Sequence, residues 1–175
     1  MKGLLLFLAV AGLLSCASLD VRSEEAQADV VSSANGDVVS LSFLAGDWVL
    51  HDASGVAVGV SHIEVSGSNA VLFEQRTIGT NPSQPLWLMN SERAGGWVQL
   101  FLNPSQQVRE FTTQSDKGAW PLILGGEFEL RNGTLARFRL TITQESEALS
   151  RRLLEMSRDG GATWAPVLDY TYRRA

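Results

Sequence analysis

From Trp48 to Arg174 apolar and polar residues alternate with a period of two, and turn-forming residues interrupt them about every eight to twelve positions. That rhythm constrains the fold more than any other feature. Period two is the signature of a strand with one face buried and one wet, and it runs without an error through Ala136-Arg137-Phe138-Arg139-Leu140-Thr141-Ile142-Thr143. The interruptions are Ala53-Ser54-Gly55, Ser66-Gly67-Ser68-Asn69, Gly79-Thr80-Asn81-Pro82, Ala94-Gly95-Gly96 and Arg131-Asn132-Gly133. Each offers residues that tolerate positive φ or start a turn, and Asn132-Gly133 is a two-residue hairpin signal. No segment reads as a long helix. The expected fold is all-β: a single antiparallel up-and-down β-barrel of about 8–10 strands.

Gly46-Asp47-Trp48 marks the head of the first strand. Glycine lets the chain turn tightly there, and the indole is placed to cover one end of a barrel. Ahead of it, residues 16–40 mix Glu24, Glu25, Asp29 and Asp37 with small residues and show no sustained period, which predicts a flexible tether. The barrel domain is expected over residues 41–175. A short helical turn around Val38 to Leu44 is expected to plug one end of the barrel.

Residues 1–15 carry an address. Lys2 is followed by an apolar run, Leu4 to Leu14, too short for a comfortable permanent span, and then by Leu13-Leu14-Ser15-Cys16. This resembles a bacterial lipoprotein signal peptide with its lipobox. The resemblance implies cleavage before Cys16, acylation of its thiol, and attachment to a membrane through the N-terminal lipid. With Ala17 rather than Asp after the cysteine, it further implies the outer membrane, facing the periplasm. An ordinary secretory signal cut near Ser15 or Ala17 is the alternative. Cys16 is the only cysteine among 175 residues, so a mature domain folds without a disulfide.

The formal charge of −5 argues against an obligate binder of polyanions, and no phosphate loop or nucleic-acid module is present. Arginines nevertheless gather late, at 131, 137, 139, 151, 152, 158, 173 and 174. They could attract an anionic ligand or lipid headgroup; a solvated outer face is the plainer account. Ser157-x-Asp159-x-Gly161-x-x-Trp164 matches the Asp-box pattern, in which the carboxylate caps the turn amides and the tryptophan folds back. A single copy predicts a structural hairpin.

Tyr170-Thr171-Tyr172-Arg173-Arg174 puts a guanidinium on the last strand, beside the first in a closed barrel. In lipocalins and their relatives such an arginine stacks on the Gly-x-Trp indole, so Arg173 or Arg174 is the implied partner of Trp48. The stretches Phe43 to Trp48, Gly96 to Phe101, and Ser157 to Trp164 with Tyr172-Arg173 together resemble a family of uncharacterised bacterial lipocalin-like, calycin-type barrel lipoproteins. Relatives often carry Trp-x-Gln-x-Trp-x-Asp where this chain has Phe101 and Asn103, so no site transfers there.

Alternation also nominates a ligand-facing surface. Trp97, Gln99 and Phe101 share a face, and a glutamine between aromatics suits the orientation of a small apolar or amphipathic ligand. Val71, Phe73 and Gln75 repeat the arrangement. A filled barrel with each glutamine satisfied by backbone or water is the alternative.

Catalytic signals are weak, and neither a cofactor nor a metal is expected. Only His51 and His62 could serve as axial ligands, since some ten-stranded barrels of the lipocalin-like kind bind haem. An enzyme on this scaffold would need two titratable groups converging in the cavity, for which Glu74, His62 or Arg152 are the candidates. Glu127 and Glu129 share a face expected to meet water. The leading expectation is a ligand-binding module; a structural or interaction protein of the envelope is the alternative.

Overall fold

The computed structural model describes residues 40–66, 71–81, 84–91, 95–102, 108–116 and 119–175. The expected signal peptide with Cys16, and the expected tether up to residue 39, lie outside the described residues.

Ten strands follow a single turn of 3-10 helix, Ser42–Leu44. In chain order they are β1 (Gly46–His51), β2 (Ala57–Ser66), β3 (Val71–Ile78), β4 (Gln84–Ser91), β5 (Gly96–Leu102), β6 (Val108–Thr113), β7 (Leu122–Glu129), β8 (Leu135–Ser146), β9 (Leu149–Ser157) and β10 (Ala165–Arg174). Each pairs antiparallel with its sequence neighbours, and β1 pairs with β10 through Trp48↔Arg174 to His51↔Thr171. The result is a closed, up-and-down, lipocalin-like barrel. Closure leaves no unpaired sheet edge for another chain to extend.

The strands that sequence alternation predicts most clearly behave accordingly. On β8, Ala136, Phe138, Leu140 and Ile142 are buried, while Arg137 and Arg139 face outward. Those outward arginines are paired: Arg137 with Glu127 at 3.0 Å, and Arg139 with Glu155 at 2.8 Å. Arg151 likewise meets Asp169. Exposed pairs contribute little to stability, so the solvated-face account holds for Arg137 and Arg151, while the Arg139–Glu155 pair is part-buried.

The first strand begins at a plug. Leu41 and Leu44 are fully buried, and the Trp48 indole N–H donates to the Leu44 carbonyl at 2.8 Å. The guanidinium that meets this indole belongs to Arg174, 4.4 Å from the ring, and it also donates to the carbonyls of Phe43 and Ala45. Arg173 is exposed and borders an outer groove with His51 and Asp52. Gly46 makes the arrangement possible, because its φ is +118° and a Cβ there would lie 2.7 Å from an Arg174 nitrogen. Gly46→Ala is therefore expected to cost about 1–3 kcal/mol through backbone strain alone, read by urea unfolding. No change in midpoint would refute this account.

At the opposite end, the β9–β10 turn is tied by its own side chains. Asp159 accepts from the Thr163 amide at 2.9 Å and the Thr163 hydroxyl at 2.6 Å, and Ser157 accepts from the Gly161 amide at 2.8 Å. Those bonds, with one from the Ser157 hydroxyl, hold the Asp159 carboxyl well below the usual carboxylate range. Trp164 folds back under Arg139, 4.4 Å from its guanidinium.

Candidate functional site

The register gives the barrel two different ends. The plug, the starts of β1 and β7 and the β4–β5 turn share one end; Ile78, Phe101, Val108 and the β9–β10 turn lie toward the other. Apolar side chains fill the plugged half, among them Trp48, Leu88, Trp97, Leu122 and Ile142. Toward the other end the interior turns polar.

Glu74 is the centre of that polar belt and is 2% exposed. It accepts from the Ser61 hydroxyl at 2.7 Å and the Tyr172 hydroxyl at 3.0 Å, and it is bonded to the Arg152 guanidinium, itself 3% exposed. The pair spans the interior from β3 to β9. Arg152 also lies over the Tyr172 ring at 4.4 Å, and Arg76 reaches the Tyr172 hydroxyl at 3.5 Å. Burial pushes the Glu74 carboxyl up, but the Arg152 and Arg76 guanidinia and the bond from Ser61 outweigh it and hold it below its ordinary value. Burial raises the Tyr172 hydroxyl, which stays a neutral donor. Glu74 is thus ionised and both arginines charged.

Beside this belt lies a cavity of about 100 Å³. Its apolar wall includes Leu86, Phe101, Phe111, Phe138 and Leu154; its polar lining is Arg76, Arg109, Arg152 and Gln99. Buried polar atoms are normally paired. Here the Nε of Arg76, the Nε of Arg152 and the Oε1 of Gln99 are buried without a partner. Arg109 stands over the rings of Phe128 and Phe138 at 5.1 and 5.6 Å and forms no ion pair among the described residues.

The structure sorts the residues nominated from sequence. Gln99, 5% exposed, and Phe101 line the cavity. Trp97 is buried in the core instead, two residues nearer the plugged end, a displacement of about 7 Å along a strand.

Phe73 and Gln75 require a correction. They sit on the outer side of β3, Phe73 half-buried and Gln75 exposed, because the register sets Leu72, Glu74 and Arg76 opposite Val65, Ile63 and Ser61 of β2. With Ile63 and Ser61 buried, the same phase carries Glu74 inward and Phe73 out. Phe73 then packs on its cross-strand partner Trp87, ring centroids 5.4 Å apart, outside the barrel.

Of the three enzyme candidates, two are brought together and one is not. Glu74 and Arg152 meet inside, whereas His62 lies on the outer face, 2.6 Å from Asp47 and 3.3 Å from Glu64. Its bonds to these carboxylates raise the His62 pKa. His51 borders an outer groove, so neither histidine is presented to the interior as an axial ligand would be. Glu127 and Glu129 are exposed, as expected. Among the described residues no three His, Cys, Asp or Glu side chains are grouped as a metal site requires.

Sequence reasoning missed Arg76 and Arg109. Arg109 stands two residues from the apolar Phe111 on its own strand, and that spacing was the available signal; Arg76 shares its phase with Glu74, whose burial no neighbouring residue announces. No protein-family model matches the chain, and no curated protein matches it.

Proposed function

We propose that this chain is a lipoprotein, acylated at Cys16 and held at the outer membrane facing the periplasm, whose barrel binds a small amphipathic molecule in the cavity opposite the plug. The observation that carries the binding reading is the cavity itself. An apolar wall is set against three buried polar atoms that have no partner among the described residues. Leaving such an atom unsatisfied costs about 1–3 kcal/mol, and a ligand or water that reaches it recovers that cost. An apolar wall with a few convergent polar groups is the ordinary make-up of a small-molecule site. The anchor reading rests on Lys2, the apolar run and Cys16.

One observation favours the alternative of an envelope interaction protein. Phe73 and Trp87 form an aromatic pair on the outer surface, with Trp87 exposed.

Native mass spectrometry of the protein purified from its own envelope tests the binding reading. A stoichiometric co-purifying mass of an amphipathic small molecule is expected; a clean unliganded mass after gentle extraction argues for the alternative. For the anchor, Cys16→Ser is expected to abolish fatty-acid labelling and release the chain from the membrane fraction. A labelled, membrane-bound Cys16→Ser protein would sink the assignment.

A further inference from the structure

We propose that the ligand of the cavity is an organic carboxylate, its head group held by Arg109 and Arg76 and its chain lying against the Phe101–Phe138 side, on the half of the barrel opposite the plug. This rests on the ligand-binding reading above and names its chemistry.

The argument begins with charge. Among the described residues three guanidinia and no carboxylate line the cavity, and the buried acid beside it, Glu74, is already shared by Arg152, Ser61 and Tyr172. Positive charge therefore exceeds negative in a partly dry interior, where an unmatched cation is costly. Arg76 uses one donor, in a long bond to Tyr172, and its Nε is buried and idle. Arg109 stands over two aromatic faces and forms no ion pair among the described residues. Two guanidinium forks with spare donors match the paired oxygens of a carboxylate, which accepts them bidentately.

Size and surroundings narrow the class. A volume of about 100 Å³ compares with about 30 Å³ per molecule in liquid water, which is room for a head group and a few carbons. Phe101, Phe111 and Phe138 suit methylene or aryl carbon and offer a multiply charged inorganic anion nothing.

Equilibrium dialysis of the full-length protein, extracted from its envelope in non-ionic detergent, provides the test. The probes are hexanoate, hexanol and inorganic phosphate. Hexanoate is expected to bind saturably, and hexanol at least about tenfold more weakly. Arg109→Met is expected to weaken hexanoate by about ten- to hundredfold, the worth of a charged hydrogen bond, and to leave hexanol unchanged. Arg109→Lys, which keeps the charge but loses the fork, is expected to fall between, and it serves where the methionine variant does not fold.

Equal binding of hexanoate and hexanol, unaffected by Arg109→Met, would overturn the carboxylate while leaving an amphipathic ligand in place. Displacement of hexanoate by equimolar phosphate would make the site one for inorganic anions and also overturn the proposal. If neither organic probe binds, both readings fall together.

Discussion

Glu74→Ala is expected to lower the free energy of unfolding by about 3–5 kcal/mol, the largest single loss on any polar side chain of the barrel. Removing the carboxylate strands Arg152, 3% exposed, without its counter-ion, and takes the acceptor from the Ser61 and Tyr172 hydroxyls. The loss comes mostly from the charge left behind rather than from the net worth of the pair. Glu74→Met combined with Arg152→Leu should therefore recover most of it, since a buried ion pair exchanged for well-packed apolar residues is often neutral or stabilising. Urea unfolding of the two variants decides the matter. A double variant as unstable as the single one would show that the pair itself, not the stranded cation, supplies the stability.

The same cluster sets a pH dependence with a definite sign. Arg76, Arg152, Ser61 and Tyr172 face Glu74, and its folded pKa lies below the ordinary 4.5. A depressed carboxylate contributes stability that is fully present above its unfolded pKa and is lost as pH falls through the folded one. The wild-type protein should thus lose stability in the acid range below about 4.5, and the double variant should lose less there.

The second large effect is at the plug. Trp48→Ala is expected to cost about 3–5 kcal/mol, the range for truncating a buried tryptophan. The side chain is 1% exposed, packs edge-on against Tyr172 at 6.4 Å, and is held by both the Leu44 carbonyl and the Arg174 guanidinium. Trp48→Phe should cost less, because it keeps a ring for Arg174 but abandons the Leu44 carbonyl. Amide exchange makes the mechanism visible. The Leu44 and Ala45 amides, which donate to Leu41 and Ser42, should exchange faster in both variants. Unaltered protection in Trp48→Ala would mean that the plug does not depend on the indole.

How far these features could be read from the residues depends on one ambiguity. Turn chemistry and alternation were enough for an antiparallel barrel of about 8–10 strands, of which the structure has ten, and for a hairpin at Asn132-Gly133, while the family resemblance supplied a terminal arginine beside the Gly-x-Trp entry. Alternation has two phases, however, and the choice between them was made by sending aromatic residues inward. That succeeds on β5, where Trp97 and Gln99 are buried, and fails on β3, where Leu72-Phe73 offers an apolar residue to either phase. Glu74 and Arg76 occupy the inner phase because Arg152, 78 residues away, neutralises the carboxylate. No local pattern carries that information. The candidate site was hidden for the same reason: hydrophobicity rules place charges outside, and this interior is organised around four of them.

The pairing of β1 with β10 also has a consequence for timing. A ring of strands is complete only when its last member arrives, and residues 165–174 stand at the far end of the sequence. Until they emerge, β1 and β9 are both exposed edges, and the contacts that close the seam span almost the whole domain, the slow kind to form. A chain delivered from its N-terminus therefore cannot finish this fold while its C-terminal residues are still withheld.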